Sequence, residues 1–230
     1  MIILTSMHVP IETKDVEYIQ KVSDVSWFQN KVNYANKHNY LAISRNRIYN
    51  IPVGFEKIIF IYELLNNIPQ CSWIWWTGGD TLITNHTIRV EDKILQVPND
   101  KHIIMSGDFN FIINCDSMLI RNSLEARNWL KSIIDSLPTY GSNKFLEQQY
   151  MIDTYEENKS IIQLQPQRFM NSYDGKHYGT DKNGNSVAAK DVNGNDGIWQ
   201  PGDWLIHFPG LSWQLRWDLI QEYNDKVIYE

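Results

Sequence analysis

The chain has 230 residues, of which 43% are hydrophobic and 21% charged, so it can bury a sizeable core as one large domain or two small ones. A formal net charge of −6 argues against non-specific nucleic-acid binding, which needs a basic surface, although it leaves room for a local cationic pocket. No apolar run approaches the roughly 20 residues that span a bilayer, the opening MIILTSMHVP lacks the basic start of a secretory leader, and two cysteines, Cys71 and Cys115, in apolar strand-like settings fit a reducing cytosol.

Ile2 to Leu4 form a short apolar strand, and Thr5-Ser6 reads as the small polar loop into which the first strand of a nucleotide-binding α/β fold opens. Val16 to Ala42 is mostly helical and ends on an apolar triplet that reads as a strand. Over Gly54 to Asn67, apolar residues recur at helical spacing. Cys71 to Trp76 is the next strand, and this alternation predicts a mostly parallel, doubly wound sheet. Strands follow at His102 to Ser106 and Asn110 to Ile120. Ser123 caps a helix running to Leu137, with Pro138 beyond its end. Asn143 to Tyr155 reads as a helix, Ile161 to Leu164 as a strand, Trp204 to Phe208 as a last strand and Leu215 to Tyr223 as a last helix. Between Asn171 and Gly202 the composition shifts to Gly, Asn, Asp and Lys, with turn signals at Asn183-Gly184 and Asn193-Gly194. The Asp/Asn repeats there lack the glycine and closing Glu of a calcium loop, so an EF-hand is rejected. Nine Trp and twelve Tyr are many for this length; such rings line carbohydrate sites or, more commonly, fill cores.

The most informative segment is WIWWTGGDTLIT, Trp73 to Thr84. A buried aromatic run stops at two glycines and an aspartate, which is how a strand delivers one carboxylate to the rim of a site. Gly78 and Gly79 let a ligand approach the backbone closely. Asp80 is a hard oxygen ligand of the kind that holds Mg²⁺ or Mn²⁺ against a diphosphate; its plain alternative is a solvated turn residue.

Five segments in order resemble the retaining glycosyltransferases of the galactomannan galactosyltransferase, xyloglucan xylosyltransferase and yeast mannan-polymerase-subunit family. NKVNYANKHNY (Asn30 to Tyr40) is similar to the family's NK..YA..HGY, and WIWWTGGDTLIT to its WIWWxDxDALIT. IINCDSMLIRNS (Ile112 to Ser123) is similar to LNTGSFLIRNS, FLEQQYM (Phe145 to Met151) to an acidic-amide helix start, and GDWLIHFPG (Gly202 to Gly210) to GDFVIHFxG. The resemblance implies a single GT-A domain over 1–230. Its Rossmann-like α/β sheet would be mixed, mostly parallel and flanked by helices. Its nucleotide-binding part would cover about 1–100 and its acceptor-side part about 101–230. It further implies a UDP-sugar donor, a carbohydrate or other hydroxyl acceptor, and Mn²⁺ or Mg²⁺.

On that resemblance Asp80 falls on the last Asp of the metal-binding DxD and His207 on the family's metal-ligand histidine. Glu147 and Gln148 fall on the pair beneath the reacting face of the sugar, with Asp108 as a sugar-contacting carboxylate; otherwise Asp108 is a turn residue. Thr5, Ser6 and Tyr34 fall at the nucleoside, and Tyr34 is otherwise core. Gly79, Asn114, Gly210 and Arg216 complete the expected donor-binding set, Arg216 as a fixed cation for the diphosphate. Two positions depart from the pattern. Gly78 stands where the family has Asp, which leaves either a weaker, nucleotide-dependent metal site or a metal-free, inactive nucleotide- or glycan-binding protein. Asp116 stands where the family has Gly; as a sugar contact, an oxygen ligand or a determinant of donor choice, it has three open readings.

Overall fold

The computed structural model describes residues 1–8, 15–178 and 190–230. Its central sheet starts with β1 (Ile2–His8), flanked by β2 (Leu41–Asn46) and β3 (Trp73–Thr77), both parallel to it, with Thr5 opposite Ile43 on one side and Trp76 on the other. Between β1 and β2 runs one continuous helical stretch: α1 (Val16–Ser23), a π-helical segment (Asp24–Lys31) and α2 (Val32–His38). Helix α3 (Val53–Asn67) crosses from β2 to β3. After β4 (Thr81–Ile83) and α4 (Val90–Ile94), the sheet continues with β5 (Ile103–Ser106) and β6 (Asn114–Arg121). Helices α5 (Leu124–Asp135), α6 (Leu137–Tyr140), α7 (Leu146–Asp153) and α8 (Tyr155–Asn158) precede β7 (Ile162–Gln165). The strand order is β2-β1-β3-β6-β5-β7, and within it β6 alone runs against the others. A small second sheet joins β4, β9 (Leu205–His207) and β8 (Ser172–Tyr173), in the order β4-β9-β8. In the chain, helix α9 (Gly175–Tyr178) lies between β8 and β9, and α10 (Trp213–Asn224) follows β9.

β3 is buried along its whole length because both of its faces are covered. Ile74 and Trp76 pack with Phe55, Ile58 and Ile61 of α3 and with Trp129 and Met151. Trp73 and Trp75 pack on the other side with Leu4, Tyr34 and Trp204, where the rings of Trp75 and Trp204 stack 3.9 Å apart. That two-residue alternation makes Trp73, Trp75 and Trp76 core residues, while Trp76, Phe145 and Trp213 also line the cleft at the carboxyl edge of the sheet. Both cysteines are free and buried. Among the described residues no helix is long and apolar enough to cross a membrane.

Several boundaries differ from the sequence reading. Thr5 and Ser6 do not open into a loop: β1 continues through them, and both are buried between β2 and β3. β6 begins at Asn114, because residues 110 and 111 donate their backbone N–H groups to Asp108 in a turn. Pro138 does not lie outside helix; it occupies the first turn of α6, where its missing N–H costs nothing. The loop at Asn193-Gly194 is held by Asp191, whose Oδ1 accepts from the N–H groups of Asn193 and Asn195, both at 2.9 Å. Asn183-Gly184 lies outside the described residues.

Candidate active site

The antiparallel run of β6 brings its first residues to the edge where β3 ends. Thr77 is paired with Ser117, and the Gly78 N–H donates to the Asp116 carbonyl at 2.7 Å, so positions 78 and 116 face each other across the ladder. β4 leaves the same edge, and Thr81 pairs with His207 of β9. The carboxyl edge of a parallel sheet is where α/β folds bind ligands. A cleft of about 330 Å³ opens there, lined among others by Gly78, Gly79, Asp80, Asp116, Glu147 and Arg216.

At one end of the cleft two carboxylates and an imidazole converge. His207 Nε2 lies 3.5 Å from Asp80 Oδ1 and 3.7 Å from Asp116 Oδ2. The other oxygen of each carboxylate is tied to a cation: Asp80 Oδ2 to the Arg216 guanidinium at 2.9 Å, Asp116 Oδ1 to Lys57 Nζ at 3.2 Å. Burial alone pushes the Asp80 carboxyl up, but the Arg216 guanidinium, joined by the His207 ring when that ring is protonated, outweighs it and holds the group well below the usual carboxylate range. His207 Nδ1 is 2.8 Å from Asn171 Oδ1. That oxygen can only accept, so in the neutral ring Nδ1 carries the proton and Nε2 presents its lone pair. Nε2 is buried and has no hydrogen-bond partner. An orphaned acceptor facing two carboxylates fits a divalent cation. Among the described residues no three His, Cys, Asp or Glu side chains form a ready-made metal cage, so an ion here draws further ligands from its substrate and water.

At the other end a buried ammonium gathers the polar groups around it. Lys57, buried on α3, reaches Glu147 Oε1 at 2.8 Å, Cys115 Sγ at 3.0 Å and the Cys115 carbonyl at 3.2 Å. Burial disfavours its charge, but Asp116, Cys115 and Glu147 more than compensate and raise its pKa well above the usual lysine range. Glu147 also accepts from the Cys115 thiol at 3.2 Å, and Gln148 Oε1 accepts from the Cys115 N–H at 3.3 Å. Leu146, just ahead of this pair, has φ +49°, a strained value for a residue with a branched side chain, and it sets the angle at which α7 enters the site. Gly54 makes the room: a Cβ there would stand 1.4 Å from Glu147 Oε2.

Beneath the Gly78–Ile83 segment lies the π-helical turn. Ser26 Oγ donates to the Gly79 carbonyl at 2.9 Å, and Asn30 makes two bonds of 2.9 Å to the backbone of Ile83. Lys31 Nζ donates to the carbonyls of Gly78 at 2.8 Å and Thr81 at 3.0 Å and to Ser26 Oγ at 2.9 Å. Its complete burial pushes its pKa down to about 7, with Asp80 opposing the shift. Ser26, Asn30, Lys31 and Lys57 escaped the sequence reading, although Asn30 and Lys31 are the NK of the first quoted motif.

The structure thus gathers Gly79, Asp80, Asp116, Glu147, Gln148 and Arg216 on the cleft and sets His207 behind them. The remaining expected residues stand elsewhere. Asp108 is saturated: Oδ1 accepts from the N–H groups of Asn110 and Phe111, and Oδ2 from Asn114 Nδ2 and the Tyr173 hydroxyl, at 2.7–3.0 Å. It organises a turn, the alternative the sequence left open. Asn114 spends its Nδ2 on Asp108 and Tyr173 and its Oδ1 on the Asp116 N–H. Thr5 and Ser6 are inside β1, off the cleft lining. Tyr34 is core, its hydroxyl donating to the Ile88 carbonyl at 2.7 Å. Gly210 adopts φ +68° in the turn between β9 and α10, also off the cleft.

This architecture is that of a GT-A glycosyltransferase fold. A glycosyltransferase involved in the glycosylation of the major capsid of PBCV-1 superposes with a TM-score of 0.69, covering 96% of this chain and 98% of that one at 14% identity. The galactosyltransferase LgtC, solved in complex with donor and acceptor sugar analogs, gives a TM-score of 0.51, 99% and 100% coverage and 13% identity. In sequence, residues 1–99 match the galactosyl transferase GMA12/MNN10 family. Two Schizosaccharomyces pombe relatives extend the similarity. An uncharacterized alpha-1,2-galactosyltransferase is 26% identical over 226 residues, covering 79% of this chain and 54% of the relative. An alpha-1,2-galactosyltransferase is 25% identical over 235 residues, covering 82% and 56%. The chain has a GT-A fold, and over residues 1–99 its sequence is similar to the GMA12/MNN10 family, the resemblance that its motifs carry. It spans about half the length of these two relatives.

Proposed function

We propose that this protein is a retaining glycosyltransferase that moves a sugar from a UDP-sugar to a glycan or other hydroxyl acceptor with the help of Mn²⁺ or Mg²⁺. One observation carries the reading: a buried, unpartnered imidazole nitrogen faces the Asp80 carboxylate at the mouth of a cleft on the carboxyl edge of the sheet. The similarity to alpha-1,2-galactosyltransferases makes galactose the first donor sugar to test.

Asp80 and His207 would hold the ion, together with diphosphate oxygens and water. When bound, the ion supplies positive charge against the diphosphate of the departing UDP. Gly78 and Gly79 leave the backbone open to the diphosphate, and Arg216 adds a cation where negative charge develops. Glu147, ion-paired with Lys57 at 2.8 Å, would face the positive charge that grows at the anomeric carbon. Gln148 has its Oε1 engaged by Cys115, so its NH₂ end is the one left for a sugar hydroxyl. The acceptor attacks from the face that UDP leaves, and a diphosphate oxygen takes its proton. No second carboxylate at glycosidase spacing is required.

The test is incubation with UDP-galactose, UDP-glucose and UDP-xylose with and without Mn²⁺, reading UDP release, alongside calorimetric titration with UDP. UDP binding that tightens with Mn²⁺ and release from at least one donor is the expected result. Neither binding nor release under any condition would remove the enzyme reading.

A further inference from the structure

We propose that Asp116 is the second carboxylate ligand of the cation site, and that positions 78 and 116 share one carboxylate place which either can fill but not both. The inference rests on the nucleotide- and metal-dependent reading above and adds a ligand and a rule of exchange to it.

Geometry makes the case. Asp116 Oδ2 and Asp80 Oδ1 both point at His207 Nε2, at 3.7 and 3.5 Å. Adjacent ligands of an octahedral ion with bonds of about 2.1 Å stand about 3.0 Å apart, so small side-chain rotations bring all three atoms onto one ion. The Nε2 atom is buried with no other partner, and Lys57 holds only the far oxygen of Asp116. Position 78 lies directly opposite position 116 on neighbouring strands. A Cβ built on Gly78 would stand 3.3 Å from the Asp116 Cβ and 2.9 Å from Asp80 Oδ1. A side chain at 78 therefore enters the volume that Asp116 already fills, and a carboxylate there would crowd two others. Because β6 runs against β3, a carboxylate moved one step across the ladder, from 78 to 116, still emerges at the same lip.

The experiment measures Mn²⁺ binding in the presence of saturating UDP, by the free-ion paramagnetic resonance signal, on the wild type, Asp116→Asn, Asp116→Gly, Gly78→Asp and the double exchange Gly78→Asp/Asp116→Gly. Melting curves establish that each variant is folded. UDP binding is titrated separately with no metal. Both Asp116 variants should lose at least about tenfold in Mn²⁺ affinity. Gly78→Asp alone should gain nothing, and the double exchange should return to within about threefold of the wild type. If Asp116→Gly does not fold, Asp116→Asn decides, since it keeps the shape and removes the charge. Folded Asp116 variants that bind Mn²⁺ as the wild type does overturn the proposal. So does a double exchange no better than Asp116→Gly, a Gly78→Asp variant that binds tighter on its own, or a wild type that binds UDP but no Mn²⁺. Loss of UDP binding by the wild type itself would instead remove the donor reading of the preceding subsection.

Discussion

The two ends of the cleft hold buried polar groups in opposite states of completion. Around Lys57 every charge has its counterpart: Glu147, Asp116, the Cys115 thiol and its carbonyl close on one ammonium. Around His207 the ring is anchored through Nδ1 while Nε2 is left with nothing but two carboxylate oxygens beyond hydrogen-bond range. A closed network is a scaffold, because its members already have what burial demands. An open one keeps an acceptor desolvated with no return inside the protein, a cost of about 1–3 kcal/mol that a ligand can offset. Substitution of the lysines beneath the cleft should therefore move stability, and substitution of the groups that orient His207 should move ligand affinity.

The largest effect is expected from Lys57→Met. It strands Glu147 without a counter-charge, and removing one member of a buried ion pair typically costs about 3–5 kcal/mol. Urea unfolding measures it. Adding Glu147→Gln should recover part of the loss; if it recovers none, the penalty comes from packing and the network is not electrostatic. The Lys57 contribution is present in full below the unfolded lysine pKa of about 10.4 and is lost only as pH rises toward the higher folded value.

Lys31→Met comes next, at about 1–3 kcal/mol near neutral pH, because the carbonyls of Gly78 and Thr81 lose their donor. Here pH dependence runs the opposite way. The folded pKa is lowered from 10.5 to about 7, so between those values the unfolded chain binds a proton that the folded one has shed. The stability of the wild type relative to Lys31→Met should then rise with pH by up to about 1.4 kcal/mol per unit across that window. Unfolding curves at pH 7, 8 and 9 decide it: a flat difference would mean that three oxygen acceptors keep Lys31 charged.

These two lysines also mark where the sequence stops being legible. Periodicity located the helix that carries Lys57 and the strand that ends before Asp80, since those patterns are local. The convergence of Asp80 and His207 came only from motif resemblance, because nothing local links residues that far apart in the chain. Lys31 and Lys57 look like solvated helix residues until their partners are known, and the carbonyls and carboxylates that hold them lie 47 or more positions away. Thr5 and Ser6 misled for a similar reason: two hydroxyls suggest a loop, but pairing on both sides keeps β1 straight through them. Gly78 and Asp116 each looked like a departure when read alone. Only the reversed direction of β6, which no local pattern encodes, makes them neighbours.

The smallest of these effects should fall at the open end and is the sharpest test of the contrast. Asn171 Oδ1 fixes the His207 tautomer by accepting from Nδ1. Asn171→Ala removes that anchor and lets the proton move to Nε2, where it would block the lone pair. Loss of such an orienting partner lowers metal affinity by about tenfold at the low end, or about 1.4 kcal/mol. Asn171→Asp keeps an acceptor at the same place and strengthens it, so it should retain or improve binding. The readout is Mn²⁺ affinity with UDP present. If Asn171→Ala binds Mn²⁺ as tightly as the wild type, Nε2 is not a ligand, and the open end is merely an unfinished version of the closed one.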